Sequence, residues 1–165
     1  MSTIDVLIEV YKFNRERTLG TLAAIEKEPD PRAVLAWRPA PGRAHIGWQL
    51  MHIGVTEEIF ATERLASGKP AAHKELWARF RGGSTPDDEV PTPELIRRVL
   101  AETRESLLAT VSAINESQLN VVPEGLKERG WITRAGLSII GWHEPHHQGQ
   151  AHITFNLYKA ANHKA

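Results

Sequence analysis

His143 and His147 stand four residues apart in a stretch with helical patterning. Four residues advance a helix by about 6 Å and return to within roughly 40° of the same direction. Both imidazoles then project from one face, the spacing with which a helix offers two ligands to one divalent metal. A third ligand has to come from another helix, and His52 is the best candidate. It sits among Trp48, Val55 and Ile59, so it points inward, where an unpaired imidazolium would be costly. Each of these histidines also has a plainer reading, because a lone histidine on an apolar face is commonly a hydrogen-bonded core residue. His45, two turns before His52, can line the same face or serve as a hydrogen-bonding residue at the helix entry, and the second role fits it better. His146 lies about 100° from His147 and cannot share its position. His152 is off that face, His163 is in the tail, and His73 reads as surface.

Other groups near these histidines could take part. Gln150, one turn beyond His147, can orient a ligand or make a helix–helix hydrogen bond. Glu57 and Glu144 can serve as acid/base groups or support the ligands, although an isolated glutamate on a helix is usually a solvated one. Trp48 and Trp142 can wall a pocket, with core packing the simpler expectation for both. Imidazole suits zinc, nickel, copper and iron alike.

Four long amphipathic segments must position these residues. The first covers 3–27, with Val6, Val10, Phe13, Leu19, Leu22 and Ile25 as its apolar side and Ser2 or Thr3 as its cap. Pro29, Pro31, Pro39 and Pro41 then reject a helix interior, so 29–44 reads as a long connection. The second covers 45–66 and ends at Ser67-Gly68-Lys69-Pro70. A short helix around 73–80 and a flexible loop at 81–88 follow. The third starts at the Thr92 cap with Pro93 in first position and ends near Ser117. The fourth covers 133–161. Pro145 lies inside it, lacks an N–H and crowds the carbonyl of Gly141, which predicts a kink or bulge over 141–145. Four such helices with no competing strand pattern predict an all-α helix bundle as a single domain over 1–165.

Composition narrows the function further. The 165 residues carry 20 Lys+Arg, 20 Asp+Glu, eight histidines and no cysteine. Disulfides, thiolate zinc sites, iron–sulfur clusters and a cysteine nucleophile are thereby excluded. Balanced charge argues against nucleic-acid binding. No apolar run is long enough for a bilayer and no signal peptide is evident, so a cytoplasmic protein is expected.

Trp48-Gln49-Leu50-Met51-His52-Ile53 and His143-Glu144-Pro145-His146-His147-Gln148-Gly149-Gln150 resemble the two signature regions of the DinB/YfiT-like superfamily. The helix order and the loop Phe80-Arg81-Gly82-Gly83-Ser84-Thr85-Pro86 resemble one of its branches. The resemblance covers essentially the whole chain. It implies a four-helix bundle with a long first connection, often a homodimer formed through a helical face. It also implies a divalent metal ion (nickel, zinc or iron) held by His52, His143 and His147. Relatives of this type use the metal to activate a low-molecular-weight thiol for S-transfer or thiol-dependent isomerisation. Without a cysteine of its own, the chain would take that thiol as a small-molecule substrate. Two other classes stay open: a metal-dependent hydrolase, with Glu57 as the best available base, and a non-catalytic metal- or ligand-binding stress protein.

Overall fold

The computed structural model describes residues 2–162; His163 lies outside them. Among the described residues the chain is all-helical, with no strand. The long helices are α1 (Thr3–Ile25), α3 (Ile46–Ile59), α5 (Pro93–Ser112) and α6 (Thr133–Asn162), and the short ones are α2 (Pro31–Ala36) and α4 (Trp77–Phe80). A single π-type turn, Phe60–Arg64, extends α3. Both α1 and α3 pack against α5 and α6. No helix among the described residues is long and apolar enough to cross a membrane.

The helix starts follow local chemistry. Ser2 and Asp5 form a reciprocal cap on α1, Thr92 accepts from the Leu95 N–H at the start of α5, and His45 Nδ1 accepts from the Trp48 N–H at the start of α3. Such caps contribute about 1 kcal/mol each. His45 therefore takes the helix-entry role. The third long helix ends at Ser112, earlier than expected, because Asn115 caps a separate turn over Glu116–Gln118.

The 29–44 connection is not irregular throughout. Asp30 caps α2, and Pro31 occupies its first turn, where a missing N–H costs nothing. Val34 and Leu35 are fully buried, so this short helix closes one side of the core.

The expected apolar side of α1 is partly wrong. Phe13 is 60% exposed, and Val6 and Val10 are exposed as well. The buried stripe is instead Tyr11, Arg15, Thr18, Leu22 and Ile25. Hydropathy alone missed this face because its central residue is charged.

Arg15 belongs to a buried layer with one residue from each long helix. Its Nη2 donates to Glu57 Oε2 at 2.8 Å and its Nε to Glu144 Oε1 at 2.7 Å. Arg104 Nη2 pairs with the second oxygen of both carboxylates, and its Nη1 donates to the Tyr11 carbonyl at 2.6 Å. Glu57 and Glu144 are 1% and 2% exposed, so the solvated placement expected for both is corrected. Burial would lower the Arg15 guanidinium, but Glu57 and Glu144 outweigh it and hold its pKa above the ordinary value. Two guanidiniums and two carboxylates balance in charge out of water, with all four carboxylate oxygens occupied.

Helix α6 runs unbroken through Pro145. The carbonyl that Pro145 leaves without an N–H, that of Gly141, accepts instead from Asn14 Nδ2 of α1 at 3.2 Å. A Cβ on Gly141 would lie 2.9 Å from Tyr11 Cε1. Glycine thus lets α1 come close enough to supply the missing donor, between the residues that carry His143 and the charged layer.

Candidate metal centre

Helices α3 and α6 bring His52, His143 and His147 together. Each offers one nitrogen, and these atoms lie within 4.8 Å of one another. The Nε2 atoms of His52 and His143 are 3.0 Å apart. Two nitrogens bound about 2.0–2.1 Å from one ion at angles of about 90–110° would be roughly 2.9–3.4 Å apart. The separation fits a shared ion.

The opposite ring edges are largely committed. His52 Nδ1 faces the Phe80 carbonyl at 2.6 Å. A carbonyl only accepts, so Nδ1 carries the proton and Nε2 presents a lone pair toward its neighbours. His147 Nδ1 faces Gln49 Oε1 at 2.6 Å, while Gln49 Nε2 donates to Gln150 Oε1 at 3.0 Å. The same logic leaves His147 Nε2 free. His143 Nδ1 is buried without a partner. A donor set of neutral imidazoles with lone pairs turned inward fits a divalent ion.

The rings are also held neutral. Burial, then the charges of His147, His52 and His146, push the His143 imidazole down to about 2. Burial, then His52 and His146, push His147 down to about 3. Burial lowers His52 as well, against the opposing pull of the Phe80 carbonyl. A protonated ring would crowd positive charge into one spot.

Trp48 stacks on His52, with ring centroids 4.7 Å apart and planes 13° from parallel. It therefore packs in the core and walls the centre at once. Trp142 does not pack in the core: it is 57% exposed and stacks on the outward-facing His146. His73 is not a surface residue. Its backbone N–H donates to Glu58, and its Nε2 lies 2.7 Å from Glu102 Oε2. Exposed His152 lines a cleft between α1 and α6 with Arg17 and Gln148, apart from the three. Gln150 makes the helix–helix bond to Gln49, and its Nε2 donates to His146 Nε2 at 2.7 Å. Glu57 reaches none of the three histidines, since Arg15 and Arg104 take both its oxygens.

Sequence reasoning missed Gln49 and the Phe80 carbonyl. Gln49 was findable, because it precedes His52 by three residues and shares its face. The carbonyl leaves no mark on residue type. Two clefts open at the centre. One, about 340 Å³, is lined by His52, His143, His147, Arg64, Arg81 and Arg129 among others. The other, about 510 Å³, lies beside His147 and Gln49 and has apolar walls from Trp48, Ile153 and Leu157.

A search of curated proteins finds no match. The family model of the DinB superfamily matches residues 11–151, a span that contains all three histidines and the whole charged layer. The chain belongs to the DinB superfamily.

Proposed function

We propose that this chain is a single-domain four-helix bundle that holds a divalent metal ion (nickel, zinc or iron) on His52, His143 and His147. It uses the ion to transfer a low-molecular-weight thiol to an electrophile. The observation that carries the reading is the convergence of three neutral imidazoles whose free edges face one another beside a cleft. When bound, such an ion is a Lewis acid that makes a thiol or water nucleophilic at neutral pH. The chain's own residues would do the rest. Gln49 and the Phe80 carbonyl fix the ring orientations, and Trp48 shields the His52 face from water. The apolar cleft offers room for the second reactant.

The hydrolase reading needs a general base at the centre, and Glu57, with both oxygens held by arginines, does not supply one. A local bend of α6 around 141–145 belongs to the proposal, as do a cytoplasmic setting and a homodimer. Exposed Phe13 on α1 and Trp142 on α6 are the kind of side chains that a dimer face would cover.

Titration of cobalt-loaded protein with 2-mercaptoethanol tests the thiol reading. A sulfur-to-metal charge-transfer band that saturates with thiol is expected. Absence of any band in metal-replete protein would overturn it. Turnover of an electrophile only when thiol is added would separate transfer from hydrolysis.

A further inference from the structure

The smaller cleft at the three histidines is lined by three arginines drawn from separate segments. Arg64 ends the π-type turn after α3, Arg81 follows α4, and Arg129 ends the turn Glu124–Arg129 before α6. Arg15, Arg38, Arg79, Arg97 and Arg104 each pair with a carboxylate. Among the described residues no carboxylate pairs with Arg64, Arg81 or Arg129, and no acidic residue lines this cleft. The chain has as many acids as bases, so this is a local arrangement and not a surplus.

Two of the guanidiniums are held in place without being neutralised. Arg64 Nη1 donates to the Gly125 carbonyl at 3.1 Å. The Arg129 guanidinium lies over the Trp131 ring, 5.1 Å from its centroid. Arg81 stands next to Gly82, where a Cβ would come within 4.0 Å of His52 Cε1. The buried carboxylates Glu57 and Glu144 are spent on Arg15 and Arg104 and lend the cleft little negative potential. Three guanidiniums around a small space repel one another unless an anion joins them. Their planar forks match the oxygens of a carboxylate or phosphate.

We propose that the arginine-lined cleft binds the oxyanion group of a reactant, a carboxylate or a phosphate, and so delivers that molecule's reacting end to the histidine centre. This rests on the reading of the three histidines as a metal site with thiol chemistry. It assigns Arg64, Arg81 and Arg129 as specificity-determining residues and makes one reactant an acid. The cleft, at about 340 Å³, suits a small molecule.

The test is calorimetric titration of zinc-loaded protein with succinate and, separately, inorganic phosphate at low salt. One of the two should bind with a Kd below about 1 mM, and which one binds decides between carboxylate and phosphate. In the Arg81→Ala/Arg129→Ala double variant that binding should weaken about tenfold or more, while zinc content and Tm hold. Both side chains are exposed, and Arg81→Gln alone repeats the test with a smaller change. No binding of either anion would overturn the proposal. Binding equally tight in the arginine variants would do so too, because the anion would then sit on the metal alone. The 2-mercaptoethanol band on cobalt-loaded protein is read separately. A band without anion binding sinks the anion site and spares the thiol reading. Anion binding without a band does the reverse.

Discussion

A buried charged layer and a half-buried histidine cluster share the stretch of α6 around residues 143–144, and they are built on opposite rules. In the layer of Arg15, Glu57, Arg104 and Glu144, charge is balanced and every carboxylate oxygen has a guanidinium partner. In the cluster of His52, His143 and His147, the rings are uncharged, and His143 Nδ1 is buried without a partner. The closed cluster has no carboxylate oxygen left to offer a ligand. The open one turns its inward nitrogens toward one another. Glu144 follows His143 directly in the chain, so one stretch of α6 serves both. The charged layer sets how the helices sit, and the histidines use the resulting geometry.

The largest expected effect lies in the closed cluster. Glu57→Leu leaves Arg15 and Arg104 short of a partner in the core and should cost about 3–5 kcal/mol, measured by denaturant unfolding of metal-free protein. A cost below about 1 kcal/mol would mean that the layer is solvated and that the contrast is false. The open cluster should respond the other way. His147→Ala should abolish metal retention while shifting metal-free stability by only about 1 kcal/mol, since the ring has one hydrogen bond to lose, the one to Gln49.

Gln49→Leu sharpens the comparison at the ring edge. It removes the acceptor for His147 Nδ1 and should weaken metal affinity by about 10–100-fold, as read by competition with a chromogenic chelator. Unchanged affinity would reduce Gln49 to a helix–helix contact.

The smallest effect is in pH. At pH 7 the ligand imidazoles are neutral both folded and unfolded. Below the unfolded value of about 6.5, the unfolded chain takes up protons. The folded chain does not until about pH 3 for His147 and about 2 for His143. Stability of the metal-free protein should therefore fall as pH drops from 7 toward 5. Metal affinity of the folded chain should fall less steeply toward pH 5 than that of three ordinary imidazoles at about 6.5, because burial lowers His52, His143 and His147 alike. A loss of affinity between pH 7 and 5 as steep as three ordinary imidazoles would show, with the fold intact, would contradict the low values of His143 and His147.

The sequence disclosed the open cluster better than the closed one. Histidines at 52, 143 and 147 follow helical spacing, and the Thr92-Pro93 start of α5 is written in residue types. The closed layer left no such trace. Arg15, Glu57, Arg104 and Glu144 each look like a solvated surface charge until the four helices meet. For the same reason the buried side of α1 was misread, with Val6, Val10 and Phe13 turned outward. α2 was hidden by prolines that reject helix interiors but suit a first turn. The arginines around the cleft come from three loops and turns, where periodicity carries no signal.

Elemental analysis of the chain purified without chelators tests the central claim most directly, run beside His52→Ala and His147→Ala. Close to one divalent ion per chain is expected in the natural sequence and none in either variant. Stoichiometric metal retained in both variants, or a natural chain that takes up no nickel, zinc or iron while folded, would contradict it.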